Sequence, residues 1–256
     1  MRWPVLFVSH GSPMLALDPG RAGAALAGWS RGRERPTAIL AISPHWYRQG
    51  VAVATRARQQ AWHDFGGFPD ELYRLDYGPP GSPGMAAKVR SLLADSGIAV
   101  DADPERPLDH GVWVPLRYLY PDADIPVVAL ALDATRDAAG HYLLGQALKP
   151  LRDEGVLILA SGSLTHNLRH VQRRHDAPAL PYVRPFQQWF ADRLAAGDTP
   201  ALLDWHARAP EAGQAHPHDD HLMPLFVGWG AGEGAAMRLV DEVAYGALAM
   251  DAYQFG

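Results

Sequence analysis

The chain has 256 residues, 48% of them hydrophobic and 20% charged, which is enough apolar material for a core and excludes a disordered protein. Its formal net charge of −5 and its scattered basic residues exclude the concentrated basic face that nucleic-acid binding needs. It contains twelve histidines and no cysteine, which excludes disulfides and thiolate ligands, so nitrogen and oxygen must hold any metal ion.

Short apolar runs alternate with helical patterns along the chain, which is typical of an α/β fold. Strands are predicted over residues 4–9, 37–43, 51–55, 125–132, 156–161, 237–241 and 249–253. Helices are predicted over residues 82–96, 137–153, 185–195 and 221–227. No linker or repeat divides the chain, so we expect a single domain over residues 1–256, with a central, mostly parallel sheet flanked by helices.

The helix over 82–96 and the segment before it carry clear local signals. Ser82 can cap this helix, Pro83 suits its first position, and Gly97 can end it. The segment 65–84 is too rich in proline and glycine for regular structure and too aromatic for a flexible linker. We therefore predict an ordered loop there.

The sequence gives no indication of membrane attachment or export. No apolar stretch approaches the roughly 18 residues of a membrane-spanning helix. The apolar run at residues 5–8 is too short for a signal peptide. We therefore expect a cytoplasmic protein that binds neither membranes nor nucleic acids, and a homodimer is the assembly to test first.

Five histidines occupy positions from which they could share one site. Open α/β sheets bind ligands at the carboxyl ends of their strands, so histidines that directly follow strands are the first candidates. His10, His45 and His166 each follow a predicted strand. His110 precedes a helical pattern, and His221 begins another. Neutral imidazole is a common metal ligand, so these positions predict a site for Fe(II), Zn(II) or Mn(II).

The other histidines are not predicted to belong to this site. Five of them lie on polar stretches or in helical patterns, where surface positions are expected: His63, His141, His170, His175 and His206. His216 and His218 share a loop with His221, and the sequence does not decide their role.

Other chemistries find less support in the motifs. No G-x-G-x-x-G follows the first strand and no P-loop occurs, so nucleotide binding is not indicated. A hydrolase that uses Ser12 or Ser163 with one histidine is an alternative. It lacks the G-x-S-x-G motif and would leave the other histidines unexplained.

Six ordered motifs carry a resemblance to a known family. They are H-G-S-P-M at 10–14, S-P-H-W at 43–46, F-G-G-F-P-D-E-L-Y at 65–73, D-H-G-V-W-V-P-L at 109–116, G-S-L-T-H-N-L-R at 162–169 and H-P-H-D-D-H-L-M-P-L at 216–225. With these motifs the chain resembles the class III extradiol ring-cleavage dioxygenases, in the branch of the DOPA extradiol dioxygenases. The resemblance implies one catalytic domain that opens a small aromatic substrate, a catechol, beside its two hydroxyls with O2.

The resemblance also implies roles for the five histidines. The family holds its metal with residues that correspond to His10, His45 and His221. His166 matches an active-site histidine that acts as acid and base or stands as a further group near the metal. His110 matches one that contacts substrate or oxygen. Fe(II) is the metal expected for activity, and Zn(II) is a metal that the protein is also expected to bind.

The third metal ligand departs from the better-known members of the family. Protocatechuate-type members supply a carboxylate there, whereas this sequence offers His221 with Asp219 and Asp220 alongside. A site of three histidines also suits Zn(II), so a zinc-dependent hydrolase and a non-catalytic metal- or small-molecule-binding protein stay open as alternatives. Asp220 is expected to hydrogen-bond a ligand or to cap a helix.

The expected mechanism assigns the proton transfers to side chains. A catechol can bind a metal through both oxygens, and His166, with a pKa near neutrality, is expected to accept a substrate proton. His110 is expected to steady the substrate or oxygen. The aromatic loop over 65–77, with Trp46 and Trp113, is expected to form the pocket wall around a flat ring.

Overall fold

A computed structural model describes residues 2–256, and within that range the chain is built on a sheet of eight strands in the order β4-β3-β5-β2-β6-β1-β10-β7. A separate pair, β8 and β9, forms a small second sheet. The strands are β1 (Val5–Ser9), β2 (Ala38–Arg48), β3 (Val51–Ala54), β4 (Val100–Asp103), β5 (Val127–Asp133), β6 (Val156–Gly162), β7 (Ala236–Val240), β8 (Val243–Ala244), β9 (Leu248–Ala249) and β10 (Ala252–Phe255).

Most neighbouring pairs in the large sheet are parallel. The parallel pairs are β3–β4, β2–β5, β2–β6 and β1–β6, and the antiparallel pairs are β3–β5, β1–β10 and β7–β10. Every residue of β1, β5 and β6 is buried, as expected for strands that are covered on both faces. The predicted α/β domain with a mostly parallel central sheet is therefore confirmed.

Helices cover both faces of this sheet. They are α1 (Gly20–Ser30), α2 (Asp70–Tyr73), α3 (Pro83–Asp95), α4 (His110–Leu119), α5 (Ala138–Leu148), α6 (Val183–Ala196), α7 (Thr199–Leu203), α8 (Trp205–Arg208), α9 (Ala212–Ala215) and α10 (Met223–Ala231). Alternate residues of β1 point to opposite sides. Val5 and Phe7 join a core with α3, α5, α6 and α10, whereas Leu6 and Val8 join a core with α1 and α4.

Two of the predicted helices in the first two thirds of the chain are observed close to their predicted bounds. Ser82 accepts a hydrogen bond from the Met85 backbone, and Gly97 has a φ of +74°, as its predicted place after α3 requires. The predicted helix over 137–153 ends as an α-helix at Leu148 and continues as a 3-10 helix, Lys149–Glu154. Pro150 lies at the change, where it removes a backbone donor.

Several predicted bounds differ from the structure. The helix predicted over 221–227 is α10, which begins two residues later and runs to Ala231. The strand predicted over 249–253 is two short strands, β9 and β10. The predicted loop over 65–84 contains the single turn of α2 and the first residues of α3. The strand β4 and the helix α1 have no counterpart among the predicted elements.

None of the helices found between residues 2 and 256 combines the length and the apolar character needed to cross a membrane.

Candidate active site

His10 lies immediately after β1, at the centre of the large sheet. Its backbone N–H donates to the carbonyl of Gly162 at the end of β6, with an N···O distance of 2.9 Å. Its side chain is only 2% exposed. The parallel pairing of β1 with β6 therefore carries this imidazole directly to the carboxyl edge of the sheet.

His45 lies inside β2, although the sequence placed it after a strand. Ile42 pairs with Leu130 and Tyr47 pairs with Leu132, so the residues between them in β2 form a bulge opposite one residue of β5. Pro44 lies in this bulge, where its missing N–H costs no ladder hydrogen bond. The irregularity turns the His45 imidazole toward His10.

His221 reaches the same place from the loop before α10. The backbone N–H of Ser163 donates to the His221 carbonyl at 2.8 Å, which ties this loop to the end of β6. A Cβ atom at Gly162 would lie 2.4 Å from that carbonyl oxygen. Glycine is therefore required at position 162 for the loop to approach the sheet so closely.

The three predicted metal ligands come together in the structure. One ring nitrogen from each of His10, His45 and His221 lies within 4.8 Å of the others. The Nε2 atoms of His10 and His45 are 3.2 Å apart. The His221 ring centroid lies 5.5 Å from that of His10 and 5.1 Å from that of His45.

The other ring nitrogen of each ligand faces a hydrogen-bond acceptor. The Ser161 hydroxyl donates its own proton to the Gly111 carbonyl, so its oxygen accepts from His10 Nδ1 at 3.0 Å. His221 Nδ1 donates to the Asp220 carboxylate at 3.0 Å, which is the role expected of Asp220. These contacts place the ring protons on Nδ1 and leave the Nε2 lone pairs free.

The donor set fits a metal ion. His45 Nδ1 faces the Asp64 carboxylate at 3.5 Å, and with the His45 proton on that nitrogen the Nε2 atoms of His10 and His45 present lone pairs to each other. Two unprotonated nitrogens cannot hydrogen-bond, whereas a cation between them would bind both. Burial, with help from neighbouring imidazoles, lowers the pKa of His10 well below its usual value and that of His45 to about 2. Both rings are therefore neutral, as metal ligands must be.

Asp64 is a site residue that the sequence reasoning missed. Its Oδ1 accepts from both the backbone N–H and Nδ1 of His110, each at 2.9 Å. Burial opposes ionisation of Asp64, but the side-chain and backbone hydrogen bonds from His110 outweigh it and lower the carboxyl pKa. One buried carboxylate thus orients two active-site imidazoles, His110 and His45. The available signal was an acidic residue in W-H-D-F-G, directly before the aromatic loop.

His166 stacks flat on His221. The two ring centroids are 3.4 Å apart and the planes differ by 7°. Burial, and then the neighbouring His221, lowers the pKa of His166 to about 3, so the expectation of a pKa near neutrality is wrong for this structure. The ring is neutral and can accept a proton.

Two further groups within residues 2–256 have metal-ligand spacing. They are His45–Asp64–His110 and His166–Asp220–His221, and each shares one member with the predicted ligand set. The structure therefore brings all five predicted histidines into one cluster.

The five histidines line one end of a cavity of about 490 Å³. Its remaining lining is largely apolar and includes Met14, Phe65, Phe68, Leu168 and Val171. Phe65 and Phe68 are the residues of the aromatic loop that reach the cavity.

The expectation that Trp46 and Trp113 form the pocket wall is wrong, because neither residue lines the cavity. Trp113 is fully buried behind Phe65, and Trp46 is buried with the Arg106 guanidinium over its ring.

The remaining histidines lie outside the cluster. His170 and His206 are exposed as expected, and His63 and His175 are half-buried. The surface position expected for His141 is wrong, because α5 turns this residue inward, where it is fully buried with Nδ1 against the Asp137 carbonyl at 2.9 Å. The two undecided residues separate: His216 is buried and donates to the Leu164 carbonyl at 2.8 Å, whereas His218 is exposed.

The serines of the hydrolase alternative are not placed as nucleophiles. Ser163 is fully buried, and its hydroxyl donates to the Thr165 carbonyl at 2.8 Å. Ser12 caps a 3-10 helix, Pro13–Ala16, by accepting from the Met14 N–H at 3.3 Å. Neither hydroxyl has a hydrogen bond to a histidine among the described residues, as a base-activated nucleophile requires.

Comparison with known proteins agrees with this geometry. Residues 4–253 match the family model described as the catalytic LigB subunit of aromatic ring-opening dioxygenase. A protein of Beta vulgaris named 4,5-DOPA dioxygenase extradiol is 41% identical over 241 residues, which cover 92% of this chain and 90% of that protein. A protein of the same name from Escherichia coli K12 is 35% identical over 261 residues, covering 100% of this chain and 95% of the relative.

A solved structure shows the same fold. The crystal structure of an uncharacterized protein from Escherichia coli K12 superposes with a TM-score of 0.83 at 30% sequence identity, and the match covers 100% of both chains.

Proposed function

Because the chain belongs to the LigB family and is a catechol ring-cleaving dioxygenase, we propose that His10, His45 and His221 hold its catalytic metal ion. The facing Nε2 atoms of His10 and His45 support this ligand set most strongly, since their 3.2 Å separation is unfavourable without a cation. We propose Fe(II) as the active metal and Zn(II) as a metal that also binds. Bound Fe(II) would chelate both catechol oxygens and allow electron transfer to O2. Zn(II) is redox-inert, so it would chelate the catechol without transferring electrons.

His166 is the proposed acid and base. It lines the cavity, and its stacking on His221 fixes its position beside the ligand set. When a catechol lies in the cavity beside the metal ligands, His166 can accept the proton of one catechol hydroxyl. It can return a proton later in the reaction.

His110 is proposed to position the substrate. Asp64 accepts from its Nδ1, so the lone pair of Nε2 is available for a hydrogen bond from a catechol hydroxyl. The His110 and His45 ring centroids are 4.1 Å apart, which places this acceptor directly beside the ligand set. A flat ring bound here would have Phe65 close by, because Phe65 contacts His110 edge to face at 5.6 Å.

The direct test is anaerobic loading with Fe(II), followed by a panel of catechols in oxygenated buffer. We expect equimolar consumption of O2 and catechol and the appearance of a coloured ring-opened product. Protein loaded with Zn(II) should bind the same catechols without consuming O2. The absence of O2 uptake with every catechol, despite stoichiometric Fe(II), would contradict the proposed iron site.

Family membership favours the dioxygenase over the zinc-dependent hydrolase and the non-catalytic binding protein. The cytoplasmic location and the homodimer stay predictions. Cell fractionation and light scattering on the purified protein would test them.

A further inference from the structure

The mouth of the cavity is apolar and exposed. Four apolar residues of its lining are exposed or partly exposed, and we call them the apolar rim: Leu168, Val171, Met14 and Phe68. Leu168 is 64% exposed and Val171 is 38% exposed, although both are large aliphatic side chains. Aliphatic groups in this position are available to pack against an apolar substituent of a bound ligand.

Within residues 2–256, the lining of this cavity contains no lysine, arginine, aspartate or glutamate. Its polar members beyond the five histidines are uncharged: Ser12, Gln172 and Tyr245. A ring substituent that carries a carboxylate loses water against this lining and gains no cationic side chain as a partner, which weakens its binding. An uncharged group of the same shape does not bear that cost.

The arginines near the rim do not line the main cavity. Arg169 follows Leu168 in sequence and lines an adjoining cavity of about 220 Å³, which shares His166 and Leu168 with the main one. Arg174 makes two hydrogen bonds to the Asp176 carboxylate, at 2.9 and 2.7 Å. Neither Arg169 nor Arg174 is among the residues that line the main cavity.

The rim is held in place by a strained turn. Tyr245 is a non-glycine residue with a φ of +52°, in the left-handed region. Its carbonyl accepts from the Gln172 backbone N–H at 2.9 Å, and its own N–H donates to the His175 carbonyl at 2.8 Å. These bonds fasten the segment that carries Leu168 and Val171 against the β8–β9 pair, so the rim is formed before substrate binds.

We propose that this enzyme selects catechols with an uncharged, largely apolar ring substituent, and that Leu168 and Val171 determine this preference. The inference rests on the proposed function, because it assumes that the catechol oxygens lie at the histidine cluster and the substituent at the rim. Catechols that carry an amino-acid or carboxylic-acid side chain are charged, so we expect them to be poorer substrates than uncharged ones.

The test is a pair of substrates that differ only in charge: 3,4-dihydroxyphenylacetate and its methyl ester. The Fe(II)-loaded protein should cleave the ester with a kcat/KM at least about tenfold higher. Calorimetric titration of the Zn(II)-loaded protein, which does not turn over, should show the ester binding more tightly by a similar factor. Equal or better use of the acid in both measurements would overturn the proposal.

Variants at the rim make the test specific. Leu168→Arg introduces a cation at an exposed position and should lower the ester-to-acid ratio at least about tenfold, because arginine pairs with carboxylates. Leu143→Arg is the matched control, because it adds the same charge at a residue that is 56% exposed and does not line the cavity, and it should leave the ratio within about twofold. A wild-type preference for the acid that Arg169→Gln abolishes would assign selectivity to Arg169 and overturn our proposal.

The two proposals fail separately. If the Fe(II)-loaded protein cleaves neither compound but the Zn(II)-loaded protein binds the ester more tightly, the proposed iron site fails and the selectivity stands. If both compounds are cleaved with equal kcat/KM, the iron site stands and the selectivity is overturned.

Discussion

The closed end of the active-site cavity and its mouth differ in residue type and in exposure: buried or partly buried histidines form the closed end, and exposed or partly exposed apolar residues form the mouth. At the closed end, His10 is only 2% exposed. The Nδ1 atom of each proposed ligand faces an acceptor oxygen: Ser161 for His10, Asp64 for His45 and Asp220 for His221. At the mouth, Leu168 is 64% exposed and the apolar rim consists of side chains on loops and short 3-10 helices.

This difference separates the chemistry from the selection of substrate. Strand ends and buried hydrogen bonds fix the imidazoles, so a change there disturbs the reaction with any catechol. The rim contacts only what projects from the ring, so a change there alters the choice among catechols. Variants at each end should therefore have effects of different size and kind.

The largest effect is expected for His10→Ala at the closed end. Loss of one of three proposed ligands should remove the metal and lower activity more than about 10³-fold. Elemental analysis of purified protein measures the metal directly. The exposed His170→Ala is the matched control and should retain both metal and activity. Full metal content in His10→Ala would contradict the ligand set.

His166→Ala should separate proton transfer from metal binding. Removal of the proposed acid and base should lower kcat about 10²-fold while metal content stays near that of the wild type. His218→Ala, an exposed histidine in the neighbouring loop, is the control. Loss of the metal together with activity would instead make His166 a fourth ligand, as the His166–Asp220–His221 group allows.

Asp64→Asn tests whether orientation of the imidazoles matters. Asparagine keeps one acceptor oxygen but turns an NH2 group toward the second imidazole, so His45 and His110 cannot both be held as they are. We expect activity to fall about tenfold, with a smaller loss of metal affinity. Asp70→Asn is the control, because Asp70 is an exposed residue at the start of α2. It should change neither activity nor metal affinity.

Leu168→Ala at the mouth should have the smallest effect. Its kcat/KM for unsubstituted catechol should stay within about twofold of wild type, because that substrate does not reach the rim. Its KM for 4-propylcatechol should rise about threefold through lost apolar contact. Leu143→Ala is the control, since Leu143 is 56% exposed elsewhere on the surface. Equal losses with both catechols would remove the distinction between the two ends.

The closed end was also the part that could be predicted from the sequence. Apolar runs followed by histidines place His10 and His166 at strand ends, because parallel strands share one carboxyl edge. The His45 position was predicted for a partly wrong reason, since β2 continues beyond it through a bulge that no local pattern reveals.

Residues whose place depends on tertiary packing were missed or misplaced. Asp64 lies in an irregular segment, and its contact with His110 depends on how that segment folds back over α4. His141 was placed at the surface because it lies in a helical pattern, and that pattern does not show which side of α5 faces the core. Trp113 was assigned to the pocket wall, but the direction of α4 turns it into the core behind Phe65.

The central claim is that His10, His45 and His221 hold the metal. A crystal of the Fe(II)-loaded protein, measured at the iron absorption edge, tests it most directly. We predict one anomalous peak among these three imidazoles, with Asp64 outside bonding distance. A peak at the His45–Asp64–His110 group, or no peak in protein that contains stoichiometric iron, would contradict the account.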